Sequence, residues 1–127
     1  MIKLFHPIRR LCSWVASSIR SLWPWGQKAR KLQSFKGMVR LDSSVDPAHD
    51  LAAKRLVLVG PKDKPKWLRF QCPCGCGDVI ALNLMTSHNP RWTVEIHQDG
   101  TLTAHPSVDA QTCKSHFWIR RSRIDWV

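Results

Sequence analysis

The sequence predicts a mainly β fold, in which a small, zinc-ribbon-like antiparallel β domain carries an amphipathic helical extension at its N-terminus. Three observations lead to this prediction. Short segments of alternating apolar and polar residues, separated by Gly and Pro turns, follow residue 54. Four of the five cysteines lie in that same part of the chain, together with a Cys-x-x-His motif. Before residue 42, the apolar residues instead recur at three- and four-residue steps among basic side chains.

Residues 1–41 are predicted to form a basic, Trp-rich helical extension. Its main helix begins at Pro7 and ends before Pro24 and Gly26, because Pro cannot continue a helix. The apolar positions of this helix are Ile8, Leu11, Val15, Ile19 and Leu22. Residues 1–40 hold nine basic and no acidic side chains, whereas residues 41–127 hold eleven basic and nine acidic ones. The charge of +11 therefore implies an anionic partner for the extension.

The extension has several interpretations that the sequence leaves open. It could bind an anionic membrane surface, bind nucleic acid, dock as a helix on a protein, or form a poorly ordered tail, and Met38 is an alternative start of the chain. The basic residues expected to contact an anionic partner are Arg9, Arg10, Arg20, Lys28, Arg30, Lys31 and Lys36. No apolar run is long enough to predict a transmembrane segment, and no export signal is convincing. We expect a cytoplasmic protein, peripheral at the membrane if the first interpretation holds.

The β domain is expected at residues 54–127, after a linker at residues 42–53 that contains Ser43, Ser44 and Pro47. Turn residues rich in Gly, Pro and Asn separate the predicted strands. The strands are predicted at residues 55–59, 66–71, 79–84, 92–97, 101–105, 117–120 and 123–126.

The hairpin around Gly100 allows its register to be predicted. A two-residue loop would oppose apolar and polar residues on each face. A three-residue loop that ends at Gly100, with this glycine in the left-handed conformation, instead pairs Ile96 with Leu102. The same loop pairs Val94 with Ala104, and we prefer it because the apolar side chains then share one face.

The last two strands are expected to form a terminal hairpin that mixes aromatic and basic side chains. Stacking of Trp118 on bases and phosphate contacts of the arginines would make it a nucleic-acid surface. The interpretation that we favour is structural, with apolar side chains in the core and the arginines in water. The core positions of this hairpin would be Phe117, Ile119, Ile124 and Trp126.

The central chemical signal is the motif Cys72-x-Cys74-x-Cys76, which is followed after 36 residues by Cys113-x-x-His116. Thiolates and imidazoles are the usual ligands of tetrahedral zinc, and we expect four of these five residues to bind one structural zinc ion. The first choice is Cys72 or Cys74 together with Cys76, Cys113 and His116. Three thiols so close together require a tight turn, and the glycines at positions 75 and 77 permit one.

Other interpretations of these residues remain open. The cysteines could be buried and reduced, or two of them could form a disulfide. A catalytic metal would need an open coordination position and a nearby base, and the loose candidates for that base are Asp78, His88, Glu95, His97 and His105. A cysteine nucleophile with His116 or His97 as its base is also conceivable. Because no recognised catalytic motif is present, we assign no catalytic residue and lean against an enzyme.

Several motifs resemble those of a known protein family. They are residues 66–77 (KWLRFQCPCGCG), 89–92 (NPRW), 105–108 (HPSV), 113–119 (CKSHFWI) and 124–126 (IDW). The chain is similar over residues 54–127 to a family of small bacterial and phage proteins. Some members of that family are encoded beside activating-enzyme-like, conjugating-enzyme-like and JAB-type peptidase genes of ubiquitin-like conjugation. Some relatives carry the label ammonia monooxygenase. The sequence argues against that activity here, because it has no apolar span and no evident set of copper-binding histidines.

The resemblance implies that the metal site belongs to the shared domain and that the protein has a role near a protein-modification system. We therefore expect a small zinc-binding adaptor that presents a metal-stabilised surface to a protein partner. The first alternative is a nucleic-acid-binding zinc module that uses the basic extension and the C-terminal hairpin. The second alternative is a metal-dependent hydrolase acting on isopeptide or ester bonds.

Overall fold

A computed structural model describes residues 31–127 of the chain. The predicted helix that begins at Pro7 lies outside the described residues, as do all members of the predicted anion-binding set except Lys31 and Lys36. The ammonium group of Lys31 lies 4.7 Å from the centroid of the Trp126 ring. This cation–π contact places the start of the described chain beside its C-terminal strand.

The described residues form eight strands and one short helix, which confirms the prediction of a mainly β fold. The helix, α1, spans Ala48–Ala52. The strands are β1 (Met38–Leu41), β2 (Leu56–Val59), β3 (Trp67–Gln71), β4 (Val79–Asn83), β5 (Thr93–Ile96), β6 (Leu102–Ala110), β7 (Ser115–Arg120) and β8 (Arg123–Trp126).

The strands are arranged in two four-stranded sheets, with the orders β1-β2-β3-β4 and β5-β6-β7-β8. All neighbouring strands are antiparallel except β1 and β2, which are parallel. The expectation of an antiparallel domain therefore holds for every pair but one. Gly60 turns the chain between β2 and β3 with a φ of +124°, and a Cβ atom there would lie 2.8 Å from the backbone nitrogen of Lys66. Only glycine fits this turn.

The core lies between the two sheets and contains side chains from both. Phe70 on β3 and Phe117 on β7 are fully buried, and their ring centroids are 6.2 Å apart in an edge-to-face arrangement. Phe35 contacts Phe70 from the other side, with 5.3 Å between the centroids. The remaining buried core members are Leu56, Leu58, Leu68, Leu82, Leu102, Ala104, Val108, Ile119 and Ile124. Burial of one such aromatic side chain contributes about 2–3 kcal/mol to folding.

Residues 32–41, which the sequence assigned to the helical extension, instead connect the two sheets. The amide of Ile124 donates to the carbonyl of Gln33 at 2.9 Å, and the amide of Phe35 donates to the carbonyl of Ser122 at 2.8 Å. The chain then crosses to the first sheet, where β1 pairs with β2. The helical expectation differs from this structure because parallel pairing with β2, some 18 residues away, is a long-range contact that local periodicity does not indicate.

The segment 42–53, predicted to be a linker, contains α1. Leu51 is buried in this short helix, and its amide donates to the carbonyl of Pro47 at 2.9 Å. Ser and Pro are common at the N-termini of helices as well as in linkers, so composition alone could not distinguish a short helix from a linker here.

The two hairpins of the second sheet match their predicted arrangement. Val94 pairs with Ala104 and Ile96 with Leu102, as the three-residue loop requires. Gly100 has a φ of +84°, in the left-handed region. In the terminal hairpin, Phe117, Ile119 and Ile124 are buried and Trp126 packs against them, while Arg120 and Arg123 are exposed.

Candidate functional sites

Four cysteines are brought together at one end of the two sheets. Cys72 follows β3, Cys74 and Cys76 lie in the loop that leads to β4, and Cys113 lies in the turn between β6 and β7. Their four Sγ atoms all lie within 4.8 Å of one another. The Sγ atom of Cys72 is 3.4 Å from that of Cys74 and 3.5 Å from that of Cys113. The cluster therefore joins a loop of the first sheet to a turn of the second.

Local backbone geometry shapes this cluster. The amide of Cys72 donates to the carbonyl of Asp78 at 2.7 Å and closes the loop. Gly75 and Gly77 have φ values of +90° and +87°, so the tight turn uses the glycines as the sequence predicted. The amide of Cys76 also donates to the Sγ atom of Cys74 at 3.3 Å.

The thiols of the cluster differ in acidity. Burial raises the pKa of the Cys72 thiol. Hydrogen bonding with the Ser115 hydroxyl, whose Oγ atom is 3.2 Å from the Cys113 Sγ atom, lowers the pKa of the Cys113 thiol to about 6. Thiolates are the metal-binding form of cysteine, and a bound cation would stabilise all four of them. The donor set is thus one that could hold a thiophilic metal ion.

His116, the fifth residue of the predicted ligand set, does not lie in the thiol cluster. Its Nε2 atom is 2.8 Å from the Oγ atom of Ser107. Phe117 faces the core, so the alternation along β7 turns the side chain of His116 to the outer face of the second sheet. The structure thus brings the four cysteines together and places the histidine with a serine instead.

An irregularity in β6 presents Ser107 to this histidine. Ala104 pairs with Ile119 and Val108 with Phe117, so three residues of β6 stand opposite the single residue Trp118 of β7. Such a bulge bends a strand and redirects its side chains, and bulges are frequent beside active sites. The indole Nε1 of Trp92 donates to the carbonyl of Ser107 at 3.4 Å and holds the bulge from the β5 side.

Asp109 lies directly opposite His116 in the pairing of β6 with β7. The amide of Val127 donates to the carbonyl of His116, so the backbone of His116 faces β8 and its pair with Asp109 is of the non-hydrogen-bonded kind. In pairs of this kind the side chains approach each other most closely on one face of the sheet. Ser107, Asp109 and His116 therefore share the outer face of the second sheet.

A serine hydroxyl in contact with an imidazole can act as a nucleophile, because the ring can accept the hydroxyl proton during attack. The sequence considerations included a cysteine nucleophile and missed Ser107. Ser107 lies in the segment 105–108 (HPSV) that the family resemblance includes, but no recognised catalytic motif surrounds it, and its contact with His116 arises only when β6 and β7 pair across the turn.

Among the loose catalytic candidates, Asp78 lies beside the thiols, where its carbonyl accepts the amide of Cys72, whereas His88 and His97 contact other side chains. The imidazole Nε2 of His97 is 2.7 Å from the Thr103 Oγ1 atom, and the imidazole Nδ1 of His88 is 2.8 Å from the hydroxyl of its neighbour Ser87. Only cysteines form the metal-type cluster found in the described chain.

Two of the three arginines of the terminal hairpin, Arg120 and Arg121, have partners within the protein. The guanidinium of Arg120 stacks over the Trp118 ring at 4.7 Å and donates to a carboxylate oxygen of Asp125 at 3.1 Å. Arg121 lies 3.7 Å from a carboxylate oxygen of Asp99. These ion pairs reduce the positive charge that the hairpin can offer to phosphates.

Across the part of the chain that the structure describes, no helix has the length and apolar character needed to cross a membrane. In comparisons with known proteins, a family model described as "Bacterial ubiquitination-like system serine protease (BubE)" matches residues 42–127, which is about two thirds of the chain. No curated protein and no solved structure matches the chain.

Proposed function

Because this chain belongs to the BubE family of the bacterial ubiquitination-like system, we propose that it is a serine hydrolase that cleaves acyl bonds made by a ubiquitin-like modifier. Ser107 is the nucleophile in this proposal and His116 is its general base. The observation that carries it is the 2.8 Å contact between the Oγ atom of Ser107 and the Nε2 atom of His116. The family's description as a serine protease gives this contact its chemical meaning.

The proposed reaction follows the usual two steps of acyl transfer. The Oγ atom of Ser107 attacks the carbonyl carbon, and its proton passes to the Nε2 atom of His116. The imidazolium then protonates the leaving amine as the carbon–nitrogen bond breaks, which leaves an acyl ester on the serine. Water, deprotonated by the same imidazole, hydrolyses that ester and restores the serine and the free carboxylate.

Asp109 supports this assignment through its place opposite His116. An imidazole that acts as a base needs its other nitrogen held in the N–H form, and a carboxylate on the same face provides an acceptor. We assign Asp109 as the residue that orients the imidazole of His116.

We further propose that Cys72, Cys74, Cys76 and Cys113 bind one structural zinc ion. Four thiolates fill a tetrahedral zinc site and leave no position for water, which argues against the metal-dependent hydrolase considered from the sequence. The ion would connect the β3–β4 loop of one sheet to the β6–β7 turn of the other and stabilise their packing. A reducing cytosol, in which thiols stay available to the metal, is the compartment that we propose.

The adaptor role predicted from the sequence remains the alternative, with the same modifier system as its partner. It gives no account of the paired Ser107 and His116. Contacts of the N-terminal basic residues with an anionic partner also stay a prediction.

The test uses the full-length protein and a bacterial ubiquitin-like modifier fused through its C-terminus to a small reporter protein. We expect hydrolysis to fall about 100- to 10,000-fold in Ser107→Ala and in His116→Ala, with folding and metal content unchanged. A fluorophosphonate probe should label the wild-type chain at Ser107. The matched control is Ser87→Ala, because Ser87 also contacts a histidine, its sequence neighbour His88, at 2.8 Å.

Full activity in Ser107→Ala would refute the assignment of the nucleophile. Tight binding of the modifier without turnover or labelling in the wild type would favour the adaptor.

A further inference from the structure

A groove of about 230 Å³ separates the edges of the two sheets near Ser107. One wall is β4, from Val79 to Leu82, and the other is the end of β6 with the turn that follows it. Cys72 and Cys113 line one end of the groove, and Trp92 also lines it. Trp92 is the residue whose indole donates to the carbonyl of Ser107, so the groove runs from the thiol cluster toward the proposed nucleophile.

The β4 wall presents unpaired backbone groups to this groove. Within the described residues, β4 is the last strand of its sheet and pairs with β3 alone. The amide of Cys72 donates to the carbonyl of Asp78, which fixes the alternation: residues 78, 80 and 82 bond to β3, and Val79 and Ala81 face away from it. The carbonyl of Asn83, which faces the same way, already accepts the amide of Trp92. Val79 and Ala81 therefore offer free N–H and C=O groups beside the groove.

The β6 wall is also an open edge. β5 covers β6 only as far as His105, which pairs with Thr93. Beyond that point β6 pairs, among the strands that the structure describes, with β7 alone, and the backbone of His116 faces β8. Its partner Asp109 therefore directs its own N–H and C=O groups away from β7, toward the groove. Two unpaired strand edges from different sheets thus face the same space.

The open strand edges of the groove favour an extended chain. An added strand needs only one layer of backbone, and main-chain hydrogen bonds to an open sheet edge are an established mode of peptide binding. The exposed apolar side chain of Val79, at 44% of its full accessibility, would be covered by such a strand.

The charge of the groove selects the side chains of that peptide. Among residues 31–127, Asp78 and Asp109 are the charged residues that line it, and no lysine or arginine from this part of the chain does so. This is a local acidic site in a chain whose net charge is +11. A Lys or Arg side chain of a bound peptide would be attracted to these carboxylates, whereas an acidic peptide would be repelled.

We propose that this groove binds the extended C-terminal tail of the modifier as an added β-strand, through the open edges of β4 and β6, and selects a basic side chain through Asp78 and Asp109. This inference rests on the proposed hydrolase, since it places the tail on the acyl side of the bond that Ser107 attacks. The folded part of the modifier stays outside, because only an extended segment can pair with a strand edge.

Binding is measured without turnover, by fluorescence anisotropy on the full-length Ser107→Ala protein. The probes are a labelled peptide of the modifier's last ten residues and its twin with every Lys and Arg replaced by norleucine. The basic peptide should bind about three- to tenfold more tightly than its twin, and Asp78→Asn should remove most of that difference. Ala81→Pro, which deletes an N–H that faces the groove and not β3, should weaken both peptides three- to tenfold.

The matched control is Ile96→Pro on the outer edge of β5. The amide of His97 donates to the carbonyl of Thr101, so residue 97 faces β6 and the N–H of Ile96 faces away from it. This variant should bind both peptides like the parent.

Hydrolysis of p-nitrophenyl acetate, which needs the Ser–His pair but no groove, is followed in the wild type and in Ser87→Ala as a separate readout of the proposed hydrolase, and Ser87→Ala should leave it unchanged. If neither Asp78→Asn nor Ala81→Pro changes the affinity for the peptides, the assignment of the groove as the binding site is refuted, even if the ester is hydrolysed. If the wild type binds the peptide but shows neither ester hydrolysis nor serine labelling, the proposed hydrolase is refuted and the assignment of the groove as a peptide-binding site stands.

Discussion

Coupling between Phe70 and Phe117 tests whether the two sheets share one core. Phe70 is fully buried and makes edge-to-face contacts with Phe35 and Phe117. Each aromatic pair contributes about 0.5–1.5 kcal/mol beyond the burial of area, so Phe70→Leu should lose about 1–3 kcal/mol from its two pairs. Phe117→Leu should cost a similar amount, because Phe117 also contacts Trp126, with 5.4 Å between centroids.

Each single variant removes the interaction between Phe70 and Phe117, and the double variant removes that same interaction only once. The two single costs should therefore exceed the double cost by about 0.5–1.5 kcal/mol. Urea unfolding followed by Trp fluorescence gives these free energies, at constant metal loading. Phe70→Leu combined with Val45→Ala, at an exposed position, serves as the additive control. A coupling below about 0.3 kcal/mol between the two phenylalanines would refute the packing of the sheets through this pair.

Three further predictions concern the thiol cluster, a buried amide and an exposed carboxylate. Cys113→Ser should lose the bound metal and unfold at a lower temperature, as checked by elemental analysis and calorimetry; wild-type metal content would contradict the ligand assignment. Asn83 is buried, and its Nδ2 atom donates to three loop carbonyls, so Asn83→Ala should destabilise the domain by about 1–3 kcal/mol in urea unfolding; a cost near zero would contradict this. Hydrogen bonds from Thr101 lower the pKa of Asp99, a shift whose stabilisation is present above the unfolded pKa and lost as the pH falls through the folded value. Thr101→Val should therefore melt below the wild type at neutral pH and approach it in acid, and a difference that does not depend on pH would argue against the assignment.

Local patterns in the sequence were sufficient for two hairpins of the second sheet, the one around Gly100 and the terminal one. The register around Gly100 followed from keeping Leu102 and Ala104 on the face of Ile96 and Val94, and the structure has that register. Such hairpins are made of neighbours in the chain, so their apolar alternation and turn residues determine most of their geometry.

Long-range pairings were not accessible in the same way. Met38–Leu41 follows a basic helical pattern in the sequence, and nothing near it indicates a parallel partner at Leu56–Val59. Likewise, the Cys-x-x-His spacing favours a metal ligand at position 116. The bulge that carries Ser107 to His116 depends on how β6 and β7 pair, which the spacing does not record.

The position of the C-terminus has a practical consequence for fusion proteins. The backbone amide of Val127 bonds to the carbonyl of His116, and the chain enters the described domain at Lys31, over Trp126. An affinity tag or reporter placed directly after Val127 would begin next to the proposed general base and could block access to Ser107. A flexible Gly/Ser spacer, or a tag at the opposite end of the chain, is therefore the safer design for the assays described above.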